Sequence, residues 1–366
     1  MSSFEEAIDD IIQKAGFENC QRIKLMEDAS TRSYERLYKD NQTAILMKAP
    51  PGNENPPCPK DASVEERLDL GWNATSRLAG SRVEAFVALS NFLSKNGFST
   101  PRIYASNVEE GVAVIEDLGL DLYAEVLKDK DVYKEQSLYK LAGELLAKLH
   151  NTEIPAELPA PNGVWPLLEF DALALTVNAD LFVSWVPQFL GMAEYSQEVL
   201  AEWAQIRSDI IAKILKHPRK LTLRDYHAEN MLYLNDREGM AKIGLLDFQD
   251  AVIGFRAWDF SMLLHDARRD VSKEAHEAAV KAYVATMRIV EEDLRNEIDL
   301  EGSINILRII GIFARLIERD KKEKYRAFMP RMVGHLETVL KNPELHALKN
   351  WIDKYAPLKE LGQINV

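Results

Sequence analysis

LTLRDYHAENMLYLNDREGMAKIGLLDFQDA, residues 221–251, decides how the rest of the chain is read. Residues 231–234 are apolar and strand-like, Asn235-Asp236 opens a turn with Gly239 close behind, and 242–246 forms a second strand. Asp225 and Asn230 stand in the loop that leads into this hairpin, and Asp247 ends it. Short apolar runs on either side of Asn, Asp and Gly are a hairpin signal, so one β-ribbon gathers two carboxylates and an amide. ATP-dependent phosphoryl transfer needs such a set. Its transition state is loose, and the protein mainly positions groups and neutralises charge. On this reading Asp225 orients the acceptor hydroxyl and takes its proton. Asn230 and Asp247 supply the hard oxygen ligands that Mg²⁺ requires.

The run Arg224-Asp225 through Asn230, followed by a strand and Asp247-Phe248, resembles the catalytic loop and metal-binding motif of kinases. In detail, Asp225-Tyr226-His227-Ala228-Glu229-Asn230 with Asp247-Phe248-Gln249-Asp250-Ala251 is most similar to the aminoglycoside-phosphotransferase-like small-molecule kinases. Within them it is closest to the bacterial anomeric N-acetylmuramate/N-acetylglucosamine kinases of cell-wall (peptidoglycan) recycling. Leu223 stands where kinases usually carry His, and Gln249 replaces the usual Gly. Asp250 adds a carboxylate that can help with metal or sugar, and Glu229 is a candidate acceptor-site residue. His227 either touches the acceptor or braces the loop.

Working outward, the 366 residues are 46% hydrophobic and 28% charged, an ordinary globular balance of a length that suits two lobes. A net charge of −13 repels phosphate backbones, so nucleic acid and anionic membrane are poor partners. Cys20 and Cys58 are the two cysteines, with no metal spacing. The acidic N-terminus lacks a basic leader and no apolar run reaches a membrane span, so a cytoplasmic protein is the default expectation; the sequence is silent on oligomeric state, and a monomer is the default taken.

The spacing predicts an amphipathic helix over 3–16, capped by Ser3 and stopped by Gly16, with Phe4, Ile8, Ile11 and Ile12 as its stripe. Strands over 22–26 and 33–38 flank a polar loop whose Ser30, Thr31 and Arg32 can donate to phosphate oxygens. Lys48 closes the next strand. It is either the lysine that pins the α- and β-phosphates or a surface residue. Residues 50–80 are rich in Pro and charge and read as a mobile insertion with one short helix, either a linker or a lid. A helix follows over 81–96. Glu84, in its first turn, either pairs with Lys48 or simply suits the helix dipole. The resemblance makes 114–119 the lobe hinge, where the backbone from Glu116 to Leu118 meets adenine.

Beyond the hinge, helices are expected over 138–149, 172–189 and 200–215, and again over 261–266, 273–293, 304–319, 330–340 and 345–355. The resemblance places the acceptor wall near Asn178, Asp180 and Trp185. The tryptophans Trp165 and Trp185 serve either as sugar platforms or as core. Asp259 is expected to brace the catalytic loop. The whole reads as an α+β, protein-kinase-like two-lobed fold. A small mixed α/β N-lobe (1–118, with 52–80 inserted) precedes a larger, mainly helical C-lobe (119–366). ATP and Mg²⁺ are the expected cofactors, and an N-acetyl amino sugar phosphorylated at its 1-hydroxyl is the expected acceptor. A kinase of another small alcohol (an aminoglycoside, choline or homoserine) and a nucleotide-binding pseudokinase are the alternatives.

Overall fold

A computed structural model describes residues 4–25, 32–52 and 55–362. Its strands are β1 (Gln21–Lys24), β2 (Ser33–Lys39), β3 (Gln42–Lys48), β4 (Ile103–Asn107), β5 (Val112–Glu116), β6 (Glu157–Ala160), β7 (Gly163–Pro166), β8 (Arg219–Thr222), β9 (Met231–Tyr233), β10 (Ile243–Leu245) and β11 (Val252–Phe255). The chain forms two compact units. Unit 1 takes residues 1–129, 152–168 and 228–252, and unit 2 takes 130–151, 169–227 and 253–366. A single cut after residue 118 therefore does not describe the architecture. Unit 1 recovers the 152–168 segment, whose strands pack on the helix Val83–Lys95, and the hairpin over 231–245, which bridges to it at Ser99–Gly244 and Leu122–Leu232.

Unit 1 is built on an antiparallel sheet in the order β1-β2-β3-β5-β4. The helix Phe4–Lys14 lays Ile8, Ile11 and Ile12 against Leu37, Ala44, Leu46, Val112 and Val114. Its apolar residues at helical spacing meet the inward face of three strands, which is the expected stripe. Gly16 ends the helix at φ 81°, a conformation that costs glycine little. Ser3, the expected cap, lies outside the described residues. The helix Val83–Lys95 buries Phe86, Val87, Leu89 and Leu93.

The Pro-rich insertion is part of this unit. Helices Val64–Leu70 and Trp72–Ser76 run through it, the first closed by a capping box between Ser63 and Glu66. Arg67 is buried and donates to the carbonyls of Ala74 (3.2 Å) and Thr75 (2.9 Å), and Asn73 donates to the Asn55 carbonyl at 2.6 Å. These buried polar contacts order the insertion on its own backbone, and the Ala79 amide ties it to Asp250 Oδ1 at 2.6 Å.

Unit 2 is mainly helical. Val132–Asn151 packs on Lys273–Met287, and Ala172–Phe189 packs on Glu291–Glu318. Glycines set both approaches: a Cβ at Gly143 would lie 2.2 Å from the Ala279 carbonyl oxygen, and one at Gly311 would lie 2.4 Å from the Leu181 carbonyl carbon. Gly311→Ala is expected to destabilise the protein by about 2 kcal/mol, since overpacking against backbone outweighs the ~1 kcal/mol gain in helix propensity. Urea unfolding reads the difference, and a neutral or stabilising result would show that the two helices can part. Glu291–Glu318 is one helix where the sequence suggested a start at 304. Its acidic first turn, Glu291, Glu292 and Asp293, suits the helix dipole, and Arg288 at φ 54° separates it from the helix before.

A buried ionic cluster lies in the same unit. Arg256 holds both oxygens of Glu297 at 2.5 and 2.7 Å, and Glu301 pairs with His217 at 2.8 Å. Burial pushes the Glu301 carboxyl up to about 7, against the pull of His217. The unfolded chain releases this proton near the ordinary carboxylate value, so the stability tied to it is complete below pH 4.5 and is lost as pH rises through 7. Glu301→Gln, which keeps the hydrogen bond and cannot ionise, should gain on the parent by up to roughly 3 kcal/mol between pH 4.5 and pH 8. Denaturant titrations at the two pH values give the comparison, and parallel curves would mean that Glu301 titrates normally.

Candidate active site

The hairpin β9–β10 pairs Tyr233 with Ile243, Leu232 with Gly244 and Met231 with Leu245. The Leu246 amide then donates to the Asn230 carbonyl at 2.9 Å. Asn230 and Asp247 are thereby fixed at the same end of one ribbon in unit 1, as the alternation of the sequence required. Asp247 sits at φ 54°, left-handed for a residue with a Cβ, which is strain of the kind that collects at functional sites. Its Oδ1 accepts from Gln249 Nε2 at 2.9 Å and lies 3.2 Å from Arg32 Nη2. The side chain is 40% exposed, while Phe248 beside it is buried and stacks on Phe86 at 5.0 Å between ring centroids. A half-exposed carboxylate and an amide oxygen on a rigid ribbon are hard donors of the type Mg²⁺ takes.

In unit 2 Asp225 follows β8 in a loop with its own strain, since Arg224 has φ 75°. Asp259 holds that conformation. Wholly buried, it accepts the amides of Leu223 and Arg224, each at 2.8 Å. Burial pushes its carboxyl up to about 7, and the two amides pull the other way. The guanidinium of Arg224 stacks over Phe170 at 4.8 Å, and the Tyr226 hydroxyl donates to the Ala142 carbonyl at 3.0 Å. Leu223, in the place of the usual His, is buried, so rigidity comes from Asp259 and packing. Arg308 Nη2 lies 3.9 Å from Asp225 Oδ1, and Arg308 Nη1 donates to Asn305 Oδ1 at 2.9 Å. Nothing in the local sequence marks Arg308, which comes from a helix 83 residues downstream by numbering.

Of the two readings given for Glu84, pairing with Lys48 does not occur. Glu84 is held by Arg82, two residues before it, with Nε at 3.0 Å. Lys48 pairs instead with Glu35 on β2, which also accepts from Arg22 Nε at 2.6 Å. In the β2–β3 register Glu35 faces Leu46, so Lys48 is its diagonal neighbour and wins by proximity. Ser30 and Thr31 lie outside the described residues. Glu116 accepts from Arg102 Nε at 3.2 Å and lies 3.4 Å from Arg237 Nη2. Asp117, in the stretch expected to be the hinge, is gripped by Arg36 at 2.8 and 3.0 Å and caps the Gly119 amide at 3.0 Å. Leu118 is half-buried.

The residues expected at the acceptor wall lie in unit 2. Asn178 is fully buried and donates to the Ala174 carbonyl at 2.7 Å. Asp180 is neutralised by Arg207 at 2.5 Å and accepts from Trp203 Nε1 at 2.7 Å. Both are spent on helix packing, and Trp185 beside them is half-buried. His227 is buried, its amide donating to the Asp225 carbonyl at 3.1 Å, and Glu229 is half-buried. Asp250 faces a cavity of about 810 Å³ within unit 1, walled by the insertion, β7 and residues 249–252. No helix among the described residues is long and apolar enough to cross a membrane.

This geometry can be set beside known proteins. A model of the phosphotransferase enzyme family matches residues 22–292. The chain belongs to that family. This phosphotransferase is 43% identical over 353 residues, 94% of each chain, to an N-acetylmuramate/N-acetylglucosamine kinase of Caulobacter vibrioides. It is 29% identical to one of Pseudomonas aeruginosa, covering 89% of this chain and 86% of the relative. Among solved structures, a choline/ethanolamine kinase family protein from Mesorhizobium loti matches the phosphotransferase fold with a TM-score of 0.58 at 15% identity, covering 98% of both chains. The kinase-like fold, a five-stranded sheet with a helical C-terminal region, is thus shared by a protein of very different sequence.

Proposed function

We propose that this phosphotransferase moves the γ-phosphoryl group of ATP, bound with Mg²⁺, to the anomeric 1-hydroxyl of an N-acetyl amino sugar, N-acetylmuramate or N-acetylglucosamine. The observation that carries the proposal is the 43% identity to the Caulobacter vibrioides kinase, which runs through 94% of both chains. Asp225 orients the acceptor hydroxyl and accepts its proton. Asn230 and Asp247 would hold Mg²⁺, which neutralises charge on the transferring phosphates. Arg32 and Lys48 offer cations to the nucleotide, and the hinge backbone from Glu116 to Leu118 receives adenine. Asp259 keeps the loop amides fixed so that Asp225 does not have to be ordered at the moment of reaction.

Arg207 and Trp203 already engage Asp180, which counts against a cationic acceptor such as an aminoglycoside or choline. The test is direct. Purified protein is incubated with ATP, Mg²⁺ and a panel of amino sugars, aminoglycosides and amino alcohols, and ADP release is followed. Phosphorus NMR of the product is expected to show a sugar 1-phosphate. A 6-phosphate, or turnover on aminoglycosides alone, would refute the assignment.

A further inference from the structure

Arg308 projects from the helix Glu291–Glu318 toward Asp225, within unit 2. We propose that its guanidinium donates to the acetamido carbonyl oxygen of the acceptor sugar, and that Arg308 is thereby the residue that selects N-acetyl amino sugars. The inference rests on the sugar-kinase reading above.

The guanidinium is anchored and still has donors to give. Its Nη1 donates to Asn305 Oδ1 at 2.9 Å, the one hydrogen bond Arg308 makes among the described residues. Asn305 is wholly buried, and its Nδ2 donates to Ser261 Oγ at 3.3 Å and to Met262 Sδ at 3.0 Å. With its nitrogen so committed, its oxygen must face Arg308. The arginine is therefore held before a ligand arrives, and less freedom is lost on binding. Nη2 faces Asp225 Oδ1 at 3.9 Å, too far for a hydrogen bond and near enough for attraction. A guanidinium has five N–H donors in a planar fork, so Arg308 can keep Asn305 and still take an oxygen placed beside Asp225. The two side chains are 12% and 24% exposed, which shields the pair yet leaves it open to a ligand.

The chemistry of the acceptor decides which oxygen that is. On the proposed mechanism Asp225 takes the proton of the 1-hydroxyl, and the neighbouring carbon 2 carries the acetamido group. Donating to the 1-oxygen itself would draw electron density from the nucleophile and oppose Asp225. A carboxylate would meet the charge of Asp225, which already acts on Asp259. The amide carbonyl is uncharged, is the strongest neutral acceptor on the sugar, and stands one carbon from the reacting group. A hydrogen bond to it from a cation is stronger than one between neutral partners. Arg315, about two turns further along the helix, lies within electrostatic reach of Arg308. The lactyl acid of N-acetylmuramate is therefore the competing ligand, and the test separates the two.

Steady-state rates with ATP, Mg²⁺ and three sugars make that test. The sugars are N-acetylglucosamine, N-acetylmuramate and N-trifluoroacetylglucosamine, whose carbonyl is a much poorer acceptor of similar shape. Turnover of either natural sugar by the parent protein establishes the sugar-kinase reading independently, and its absence on both would remove that reading and this inference together. With turnover established, Arg308→Met should lower kcat/KM by about 10- to 100-fold on each natural sugar the parent accepts, mainly through KM. ATP affinity by calorimetry should stay within about twofold, which shows that the variant is folded. The parent should prefer the acetyl to the trifluoroacetyl sugar by about 5- to 20-fold, and the preference should shrink to within about twofold in Arg308→Met. Arg308→Lys, which keeps the charge and a donor, should recover part of both effects, and it reads the same preference should the methionine variant fail to fold. A loss in kcat with KM unchanged would assign Arg308 to the transferring phosphoryl group or to Asp225 instead. A loss confined to N-acetylmuramate would assign it to the lactyl acid, and an acetyl preference that survives in the variants would give the carbonyl to another residue. Each of these results overturns the proposal.

Discussion

Asp225→Asn is expected to lower kcat by about 10³-fold or more, within the range that a positioned general base supplies, while ATP affinity stays within about threefold. The substitution keeps the shape of the side chain and removes its ability to accept a proton. The fold has little reason to respond, because the loop is held elsewhere. Asp259 takes the amides of Leu223 and Arg224, Arg224 stacks on Phe170, and Tyr226 reaches the Ala142 carbonyl. Arg308 loses a carboxylate at 3.9 Å but keeps Asn305. Single-turnover ADP formation, with nucleotide binding followed by calorimetry, separates chemistry from affinity. Turnover within tenfold of the parent would mean that another group receives the proton.

Asp247→Asn is the second large effect. Removing a full charge from the ribbon's proposed metal ligand should raise the Mg²⁺ concentration for half-maximal rate at least about tenfold and lower kcat by about 10³-fold, because charge neutralisation is most of what this chemistry asks of the protein. Asparagine is chosen because Asp247 lies at φ 54°, and Asn is among the few side chains that tolerate that region. Alanine would confound lost charge with lost conformation. A Mg²⁺ titration of initial rate, with thermal unfolding as control, makes the measurement. An unaltered metal requirement would place the cation elsewhere.

Legibility of the site in the sequence followed contact range. The hairpin was readable because strand alternation and the Asn-Asp…Gly turn are local, and Asn230 and Asp247 are brought to one end of it by pairing alone. The N-terminal stripe, the helix Val83–Lys95 and the bracing role of Asp259 were legible for related reasons: periodicity in the first two, a resemblance of short motif in the third. Where a charged side chain would find its partner was not legible. Glu84 took Arg82 and Lys48 took Glu35, since each had an opposite charge closer than the partner expected from strand and helix order. The sequence offered Asn178 and Asp180 as candidate sugar contacts and did not show that Ala174 and Arg207 engage them. The insertion reads as loose because what orders it is a buried arginine on its own carbonyls, which composition cannot show.

By itself the sequence determined the local chemistry: which oxygens exist, on which ribbon and loop, and the family of folds able to present them. Tertiary structure alone decided that Arg308 stands beside Asp225, that the catalytic hairpin joins the sheet unit while Asp225 belongs to the helical one, and that the insertion walls a cavity next to Gln249 and Asp250. The physical reason is range. Hydrogen bonds within a strand or helix are fixed by neighbouring residues, whereas ion pairs and cavity walls form between segments whose separation along the chain carries no information about their separation in space.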